Sequence, residues 1–209
     1  CSPDAGIFQK SVDIFMKELA IAEEIAADYL VTHLGSPRDS GTRFAIERVG
    51  QAFKEVAGCG LGLKTMVLLE NTSGAGAGFG SNIADLGEII RGAQELGVRT
   101  GLCLDTCHAF AAGYSFSTPL EVGAFIDEID EAAGMENLKL IHLNDSKGAH
   151  NSKLDRHEHI GKGGIGVKAF KALLTHPDIR EVPMILETPK KTEEDDPMNL
   201  EAVRKILKG

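Results

Sequence analysis

Five short apolar segments alternate with helical segments along this chain, and this alternation limits its possible folds more than any other feature. Strands that alternate with helices predict βα units, a parallel sheet buried on both faces and therefore an α/β fold. No linker or low-complexity stretch divides residues 1–209, so we predict one domain. The predicted strands are YLVTHLG (29–35), TMVLLENT (65–72), TGLCLDTCH (100–108), LKLIHLND (138–145) and VPMILETP (182–189), and the predicted helices cover residues 2–27, 41–57, 83–96, 118–132, 167–174 and 197–207.

Composition and charge limit the function classes. The chain has 209 residues, of which 43% are hydrophobic and 25% are charged, as in ordinary globular domains. Its net charge of −9 gives no overall attraction to nucleic acid. No apolar run approaches the roughly 18–20 residues that span a bilayer, so we expect no membrane segment. The cysteines (Cys1, Cys59, Cys103 and Cys107) do not suit a small disulfide scaffold, so we expect reduced thiols and a cytoplasmic location.

Residues that can bind a metal ion stand at the end of every predicted strand. The C-terminal ends of parallel strands meet at one rim, both in a barrel and in a doubly wound sheet. Carboxylates and imidazoles gathered there would be strongly destabilising without partners, and a divalent metal is an economical partner for several of them at once. We therefore predict a metal site at this rim. The residues, in chain order, are His33, Glu70, Asp105 with His108, His142 and Glu187.

The stretch IHLNDSKGAHNSKLDRHEHIGKG (141–163) adds two candidate ligands. Asp155 and His157 are two residues apart, so their side chains point to the same side of an extended backbone. Nitrogen and oxygen ligands without a required thiolate favour zinc, with manganese or iron as alternatives. The rim offers more ligands than one tetrahedral ion needs, which predicts a cluster of ions. Cys103 is expected to be a buried apolar residue of its strand, and the role of Cys107 stays open.

Several longer motifs resemble those of the endonuclease IV family of apurinic/apyrimidinic endonucleases. They are LVTHLGSP, LLENTSGAG, LDTCHAFAAGY, HLNDSKG…LDRHEHIGKGGIG and ILETPK, and the resemblance runs from the first helix nearly to the last residue. It implies a TIM (β/α)8 barrel of the xylose-isomerase-like type with three zinc ions at its rim, for which Mn²⁺ is a possible substitute. It also implies hydrolysis of the DNA phosphodiester 5′ to an abasic site by a hydroxide that the metal activates.

The resemblance also implies roles for single residues. Glu70 would bridge two ions, and Glu70 and Glu187 are the predicted catalytic residues. Glu187 would lie beside the attacking water and help to take its proton. The implied ligand sets are His33 and Glu70 for the first ion, Glu70, Asp105, His142 and Glu187 for the second, and His108, Asp155 and His157 for the third.

The predicted metal ions reverse the local sign of the charge. Four carboxylates against three divalent ions leave a net charge of about +2 at the rim. Salt screens charges beyond about 8–10 Å, so this local charge outweighs the negative charge of the rest of the chain. Lys147, Arg156 and Lys162 are the candidate contacts to DNA phosphates. The predicted partner is double-stranded DNA with abasic sites, and a complete protein of this family is expected to be a monomer.

The chain also departs from the family pattern. The resemblance places Cys1 directly after the third of eight strands, so we expect about five βα units, an incomplete barrel and one zinc histidine fewer. Two alternatives remain open, namely a sugar isomerase or epimerase of the same barrel type with Mn²⁺ or Mg²⁺, and an inactive fragment. A third ion at Asp155 and His157 would favour phosphoester hydrolysis over isomerisation.

Overall fold

A computed structural model describes residues 1–59 and 64–208, and its elements follow the predicted alternation. The helices are α1 (Ala5–Glu24), α2 (Gly41–Gly58), α3 (Ile83–Glu95), α4 (Thr106–Ala112), α5 (Pro119–Ala133), α6 (Gly166–Leu174) and α7 (Asp195–Lys208). The strands are β1 (Tyr29–Thr32), β2 (Met66–Glu70), β3 (Thr100–Asp105), β4 (Leu138–His142), β5 (Asp145–Ser146), β6 (His157–Glu158) and β7 (Met184–Ile185). Within the described part of the chain, no helix combines the length and the apolar character needed to cross a bilayer.

Five strands form one parallel sheet in the order β1-β2-β3-β4-β7. Glu70 of β2 lies opposite Cys103 of β3, and Asp105 of β3 lies opposite His142 of β4. Such a strictly sequential order is typical of a barrel, whereas a doubly wound sheet reverses its order at a switch point. Among the described residues β1 and β7 do not pair with each other. The prediction of an incomplete barrel with five βα units is therefore confirmed.

Apolar residues cover both faces of the sheet. The outer face packs against the helices in the main core, which includes Val67, Leu69, Leu102, Leu104, Ile83, Leu86, Ile129 and Phe170. The inner face carries a small cluster of Leu68, Cys103 and Leu140 with the partly buried Tyr29, Val31 and Met66. Side chains alternate along a strand, so the residues two positions after Leu68, Cys103 and Leu140, namely Glu70, Asp105 and His142, point to the inner face as well.

Helices α3 and α5 approach each other closely at Gly87. A Cβ atom added to Gly87 would lie 1.9 Å from the carbonyl oxygen of Ala132 on α5. The guanidinium of Arg91 also donates a hydrogen bond to this oxygen. Gly92 lies on the same helix, and a Cβ atom added there would meet no described atom within 4 Å. The contact of the two helices thus depends on the missing side chain of Gly87 and not on that of Gly92.

The structure also corrects several predicted boundaries. β1 ends at Thr32 and β7 contains only Met184–Ile185, so His33 and Glu187 lie beyond the backbone ladder. Residues 106–112 form α4 and not the end of a strand, because the Asp105 carboxylate caps this helix. The long loop after β4 contains a hairpin of β5 and β6, which pair antiparallel through two residues each. Side-chain hydrogen bonds hold these rim segments, and an apolar pattern does not predict such bonds.

Candidate metal centre

Glu70 lies at the centre of three imidazole rings. Its Oε1 is 3.0 Å from Nδ1 of His142 and 3.6 Å from Nδ1 of His108. Its Oε2 is 3.4 Å from Nε2 of His33. The carboxylate comes from the end of β2, and the rings come from the end of β4, the first turn of α4 and the residue after β1. The predicted convergence of the strand ends is therefore present.

Asp105 is fully buried and uses both of its oxygens. Its Oδ1 accepts a hydrogen bond from the His108 backbone N–H at 2.7 Å, which begins α4 and fixes where the His108 ring lies. Its Oδ2 accepts a hydrogen bond from Nδ2 of Asn144 at 2.7 Å. The same Oδ2 is 3.5 Å from Nε2 of His157. Asp105 therefore organises a helix start and faces a second imidazole at the same time.

The β5–β6 hairpin brings Asp155 and His157 to the same rim. Oδ1 of Asp155 is 3.2 Å from Nε2 of His108 and 3.8 Å from Nε2 of His157. The other ring nitrogen of His157, Nδ1, lies 3.0 Å from the backbone carbonyl oxygen of Glu187. Nε2 of His157 is buried and has no hydrogen-bond partner among the described residues. This nitrogen faces the carboxylates of Asp105 and Asp155, but it forms a hydrogen bond with neither.

The predicted ligands form overlapping sets in which all ligand atoms lie within 4.8 Å of one another. Two sets have the members that the family resemblance implies for two of the ions. A third joins His33 and Glu70 as implied, but with His108 as its third member. All the predicted ligands are thus brought together, and their binding of metal stays a prediction. The sets are Glu70, Asp105, His142 and Glu187; His108, Asp155 and His157; His33, Glu70 and His108; and Asp105, Cys107 and His157.

The mutual attraction of these groups shifts their pKa values. Burial raises the pKa of Glu70, but the hydrogen bond with His142 and the charges of the nearby imidazoles outweigh burial, and the pKa lies below its ordinary value. Burial lowers the pKa of His108 and His142, yet the neighbouring carboxylates outweigh it and raise both pKa values. Without metal, the charged forms of the Glu70 carboxylate and of these two imidazoles therefore stabilise one another.

Two buried asparagines, which were not predicted as site residues, form hydrogen bonds with the candidate ligands. Asn71 receives a hydrogen bond from the Asp105 backbone N–H at 2.7 Å and donates one to the Asp105 carbonyl oxygen at 3.1 Å. The backbone carbonyl oxygen of Asn71 lies 3.0 Å from Nδ1 of His108. Asn144 donates to Asp105 Oδ2 and accepts a hydrogen bond from the Glu187 backbone N–H at 2.8 Å. Their one sequence signal is an amide next to a strand end, in LLENT and HLND.

Asp145 fixes the base of the hairpin by accepting hydrogen bonds from backbone N–H groups. Its Oδ1 accepts from Ser146 at 2.8 Å and from Ile165 at 3.0 Å, and its Oδ2 accepts from Gly163 at 3.0 Å. A Cβ atom added to Gly163 would lie 2.3 Å from the Ser146 carbonyl oxygen. The motif GKGGIG is therefore packed around a buried carboxylate of the chain itself, and glycine is required at its closest approach.

The remaining cysteines and histidines near the rim differ in their surroundings. Cys103 is buried in the inner apolar cluster, as predicted, and burial raises its pKa. Burial likewise raises the pKa of Cys107 to about 12, so its thiol is neutral although it lies near Asp105 and His157. His150 is exposed and places its Nε2 2.9 Å from the Gly113 carbonyl oxygen, away from the ligand sets.

The three candidate DNA contacts are exposed and lie on or beside the hairpin. The backbone N–H of Lys147 donates to the Arg156 carbonyl oxygen at 2.8 Å, so these two residues lie opposite each other, directly after β5 and directly before β6. Lys162 follows the hairpin, and its Nζ is 3.3 Å from Sδ of Met198. None of the three forms an ion pair with an acidic side chain of the described residues. Their contact with DNA stays a prediction.

Comparison with known proteins finds relatives over nearly the whole chain. A family model described as a xylose isomerase-like TIM barrel matches residues 1–208. A protein of Methanoculleus marisnigri named probable endonuclease 4 is 43% identical over 207 residues, which are 98% of this chain and 72% of that protein. The crystal structure of endonuclease IV from Thermus thermophilus matches with a TM-score of 0.82 and 31% identity, over 99% of this chain and 71% of that one. A D-tagatose 3-epimerase-like protein matches with a TM-score of 0.71 over 99% of this chain and 72% of its own, but at 18% identity it shares the fold alone.

Proposed function

The chain belongs to the endonuclease IV family of xylose isomerase-like TIM barrels, and on this basis we propose that it is a zinc-dependent apurinic/apyrimidinic endonuclease. Its proposed substrate is double-stranded DNA that contains an abasic site. The proposed reaction is hydrolysis of the phosphodiester on the 5′ side of that site. Free cysteines among the described residues agree with a reducing compartment, and a cytoplasmic monomer is part of the proposal.

The observation that carries the proposal is the set of alternating imidazoles and carboxylates at the rim. Buried polar atoms normally have a partner, and Nε2 of His157 has none among the described residues. A cation between His157, Asp155 and His108 would give this nitrogen a partner and would separate the other groups to ligand distances. The donors are imidazole nitrogen and carboxylate oxygen, which suit zinc, and Mn²⁺ is a possible substitute. The residues therefore fit divalent metal.

The proposed assignment keeps the ligand sets that the family resemblance implies, although the neighbouring atoms of the His33 and Glu70 set also include His108. Glu70 would be shared between two ions, because its Oε1 faces His142 and its Oε2 faces His33. When bound, the ions would supply positive charge for a phosphate group and make a water acidic enough to react near neutral pH. The proposed ligands are His33 and Glu70 for one ion, Glu70, Asp105, His142 and Glu187 for the next, and His108, Asp155 and His157 for the third.

The two proposed catalytic carboxylates have different tasks because their exposure differs. The side chain of Glu187 is 44% exposed, whereas that of Glu70 is 7% exposed. Glu187 thus stands at the open side of the rim, where it can take a proton from the attacking water. Its Oε2 lies 3.1 Å from Nδ1 of His142, which orients the carboxylate. Glu70 is enclosed by imidazoles and acts by holding the ligand sets at a fixed separation.

Lys147, Arg156 and Lys162 are the proposed contacts to the phosphate backbone. Their side chains are exposed beside the rim and carry no acidic partner in the described part of the chain. Contacts of this kind fix the position of DNA without reading its sequence. Together with the local charge of the ions, they would attract DNA to a chain whose total charge is −9.

The test is incision of a DNA duplex with a single abasic site, with the undamaged duplex as the substrate control. We expect incision 5′ to the site, loss of this incision when a chelator is added, and its recovery when zinc is restored. We also expect the active protein to contain more than one zinc ion per chain. Glu187→Gln should lower the incision rate by about 10²–10⁴-fold while the circular dichroism spectrum shows that the fold is kept. The matched control is Glu193→Gln, at an exposed position that belongs to none of the ligand sets, which should have no effect. A chain that binds at most one zinc ion and does not incise at saturating metal would refute the proposal.

A further inference from the structure

Asn144 is an asparagine whose side chain joins two proposed ligands of the same ion. Its Nδ2 donates to Asp105 Oδ2 at 2.7 Å, and its Oδ1 accepts from the Glu187 backbone N–H at 2.8 Å. The residue is fully buried, so water does not compete for either bond. Asp105 and Glu187 belong to one set of neighbouring ligand atoms with Glu70 and His142. One amide group therefore sets the relative position of two ligands from different strands.

Glu187 depends on this amide because the sheet ends before it. β7 pairs with β4 only through Met184 and Ile185. Past β4, the Leu143 N–H donates to the Ile185 carbonyl oxygen at 2.8 Å. The next rung of a parallel ladder would run from the Glu187 N–H to a backbone carbonyl of the neighbouring strand. The Asn144 side chain accepts from that N–H instead. The Asn144 side chain thus takes the place of a backbone hydrogen bond where the pairing of β4 and β7 ends.

Thr106 fixes the orientation of Asn144. Its Oγ1 accepts from the Asn144 backbone N–H at 2.9 Å and donates to the Asn144 carbonyl oxygen at 2.7 Å. Thr106 directly follows Asp105 and begins α4. The start of α4 therefore fixes both the Asp105 carboxylate and Asn144, the residue that donates a hydrogen bond to this carboxylate. Asp105, Thr106 and Asn144 form a closed set of bonds in which the amide has little freedom to move.

We propose that Asn144 is a positioning residue that sets the geometry and affinity of the ion held by Glu70, Asp105, His142 and Glu187. This inference rests on the proposed metal site. The amide donor orients the Asp105 carboxylate, and the amide acceptor places the Glu187 backbone so that its carboxylate reaches His142. Removal of a group that bonds to metal ligands commonly costs about 10–100-fold in metal affinity.

The test compares Asn144→Ala with Asn137→Ala in the full chain. Asn137 is a matched control because its amide also makes two side-chain hydrogen bonds, to the Ala133 carbonyl at 2.6 Å and from Gln94 at 2.9 Å, at the opposite end of β4. Zinc binding is measured by calorimetry, and coordination by the absorption spectrum of Co²⁺. Asn144→Ala should weaken one ion by about 10–100-fold and change the Co²⁺ spectrum, and Asn137→Ala should leave both as in the parent. Equal metal binding by both variants would overturn the inference.

A second measurement needs no variant and remains decisive if Asn144→Ala does not fold. In the unsubstituted protein, zinc should shift the NMR signals of the Asn144 side-chain amide, while those of Asn137 stay in place. Asn144 signals that do not move while zinc binds would overturn the inference and leave the proposed function intact. A protein that binds no zinc would remove the proposed function and this inference with it, so the two failures are distinguishable.

Discussion

Replacement of Gly87 by alanine tests the packing that supports the rim. Gly87 lies on α3, which follows the strand that carries Glu70, and it faces the backbone of α5. The added Cβ atom would lie 1.9 Å from the Ala132 carbonyl oxygen and 2.5 Å from its carbonyl carbon. Both are backbone atoms, so no change of rotamer relieves the overlap. The two helices have to separate, and the hydrogen bond from Arg91 to the same carbonyl must change with them.

The size of the effect follows from the distance. Ordinary van der Waals contact begins at 3.4 Å, so the helices would have to move apart by roughly 1.5 Å at this point. Overpacking of a core costs about 1–3 kcal/mol and more where backbone has to move. Alanine is favoured over glycine inside a helix by about 1 kcal/mol. We expect a net loss of about 2–4 kcal/mol in the free energy of unfolding, which lowers the melting temperature by about 5–15 °C for a domain of this length.

The control is Gly92→Ala on the same helix. A Cβ atom at Gly92 meets no described atom within 4 Å, so the substitution should show only the helical preference of alanine. We expect a gain of up to about 1 kcal/mol and a rise of about 2–4 °C in melting temperature. Thermal unfolding followed by circular dichroism compares the three proteins at one pH and with chelator present. A Gly87→Ala protein at least as stable as the parent would refute the described contact of α3 and α5.

Three further predictions concern the rim. Without metal, the raised pKa values of His108 and His142 give stability that is fully present below their ordinary value of 6.5 and is lost as the pH rises through the raised values, so the melting temperature should fall with rising pH. With zinc bound, the melting temperature should instead rise with pH, and the same dependence with and without zinc would contradict this prediction. Asp145→Asn should cost about 2–4 kcal/mol in urea unfolding because a charged acceptor of several backbone N–H groups is lost, and a cost below about 1 kcal/mol would contradict its described role. Arg156→Ala should weaken binding equally for all DNA sequences and lower the slope of log affinity against log salt by about 1, and an unchanged slope would remove Arg156 from the interface.

The sequence was sufficient for the sheet and for the position of the rim. The strands β2, β3 and β4 are buried apolar runs, and each ends in one polar residue, so Glu70, Asp105 and His142 stand out. Parallel strands bring such ends together whatever the details of the loops. The alternation of elements therefore predicted both the fold class and which residues gather.

The supporting groups could not be predicted in the same way. β5, β6 and β7 contain two residues each, and two residues show no periodicity. The hairpin is held by the Asp145 carboxylate against N–H groups near residue 165, and Glu187 is held by the Asn144 amide. These bonds join residues about 20 or 40 positions apart in the chain. Their partners are determined by tertiary structure, which local propensity does not encode.

The candidate ligands are spread along the chain, with His33 as the first and Glu187 as the last. A ribosome delivers these residues in order, so Glu187, whose backbone N–H donates to the Asn144 amide oxygen, leaves the exit tunnel last among the candidate ligands. An ion that needs Glu187 would be acquired only after all the other candidate ligands have been made. Ions that bind the finished structure and not the growing chain also shift the balance toward it by mass action. At the proposed metal site, the supply of the ion would thus affect how much newly made protein stays folded.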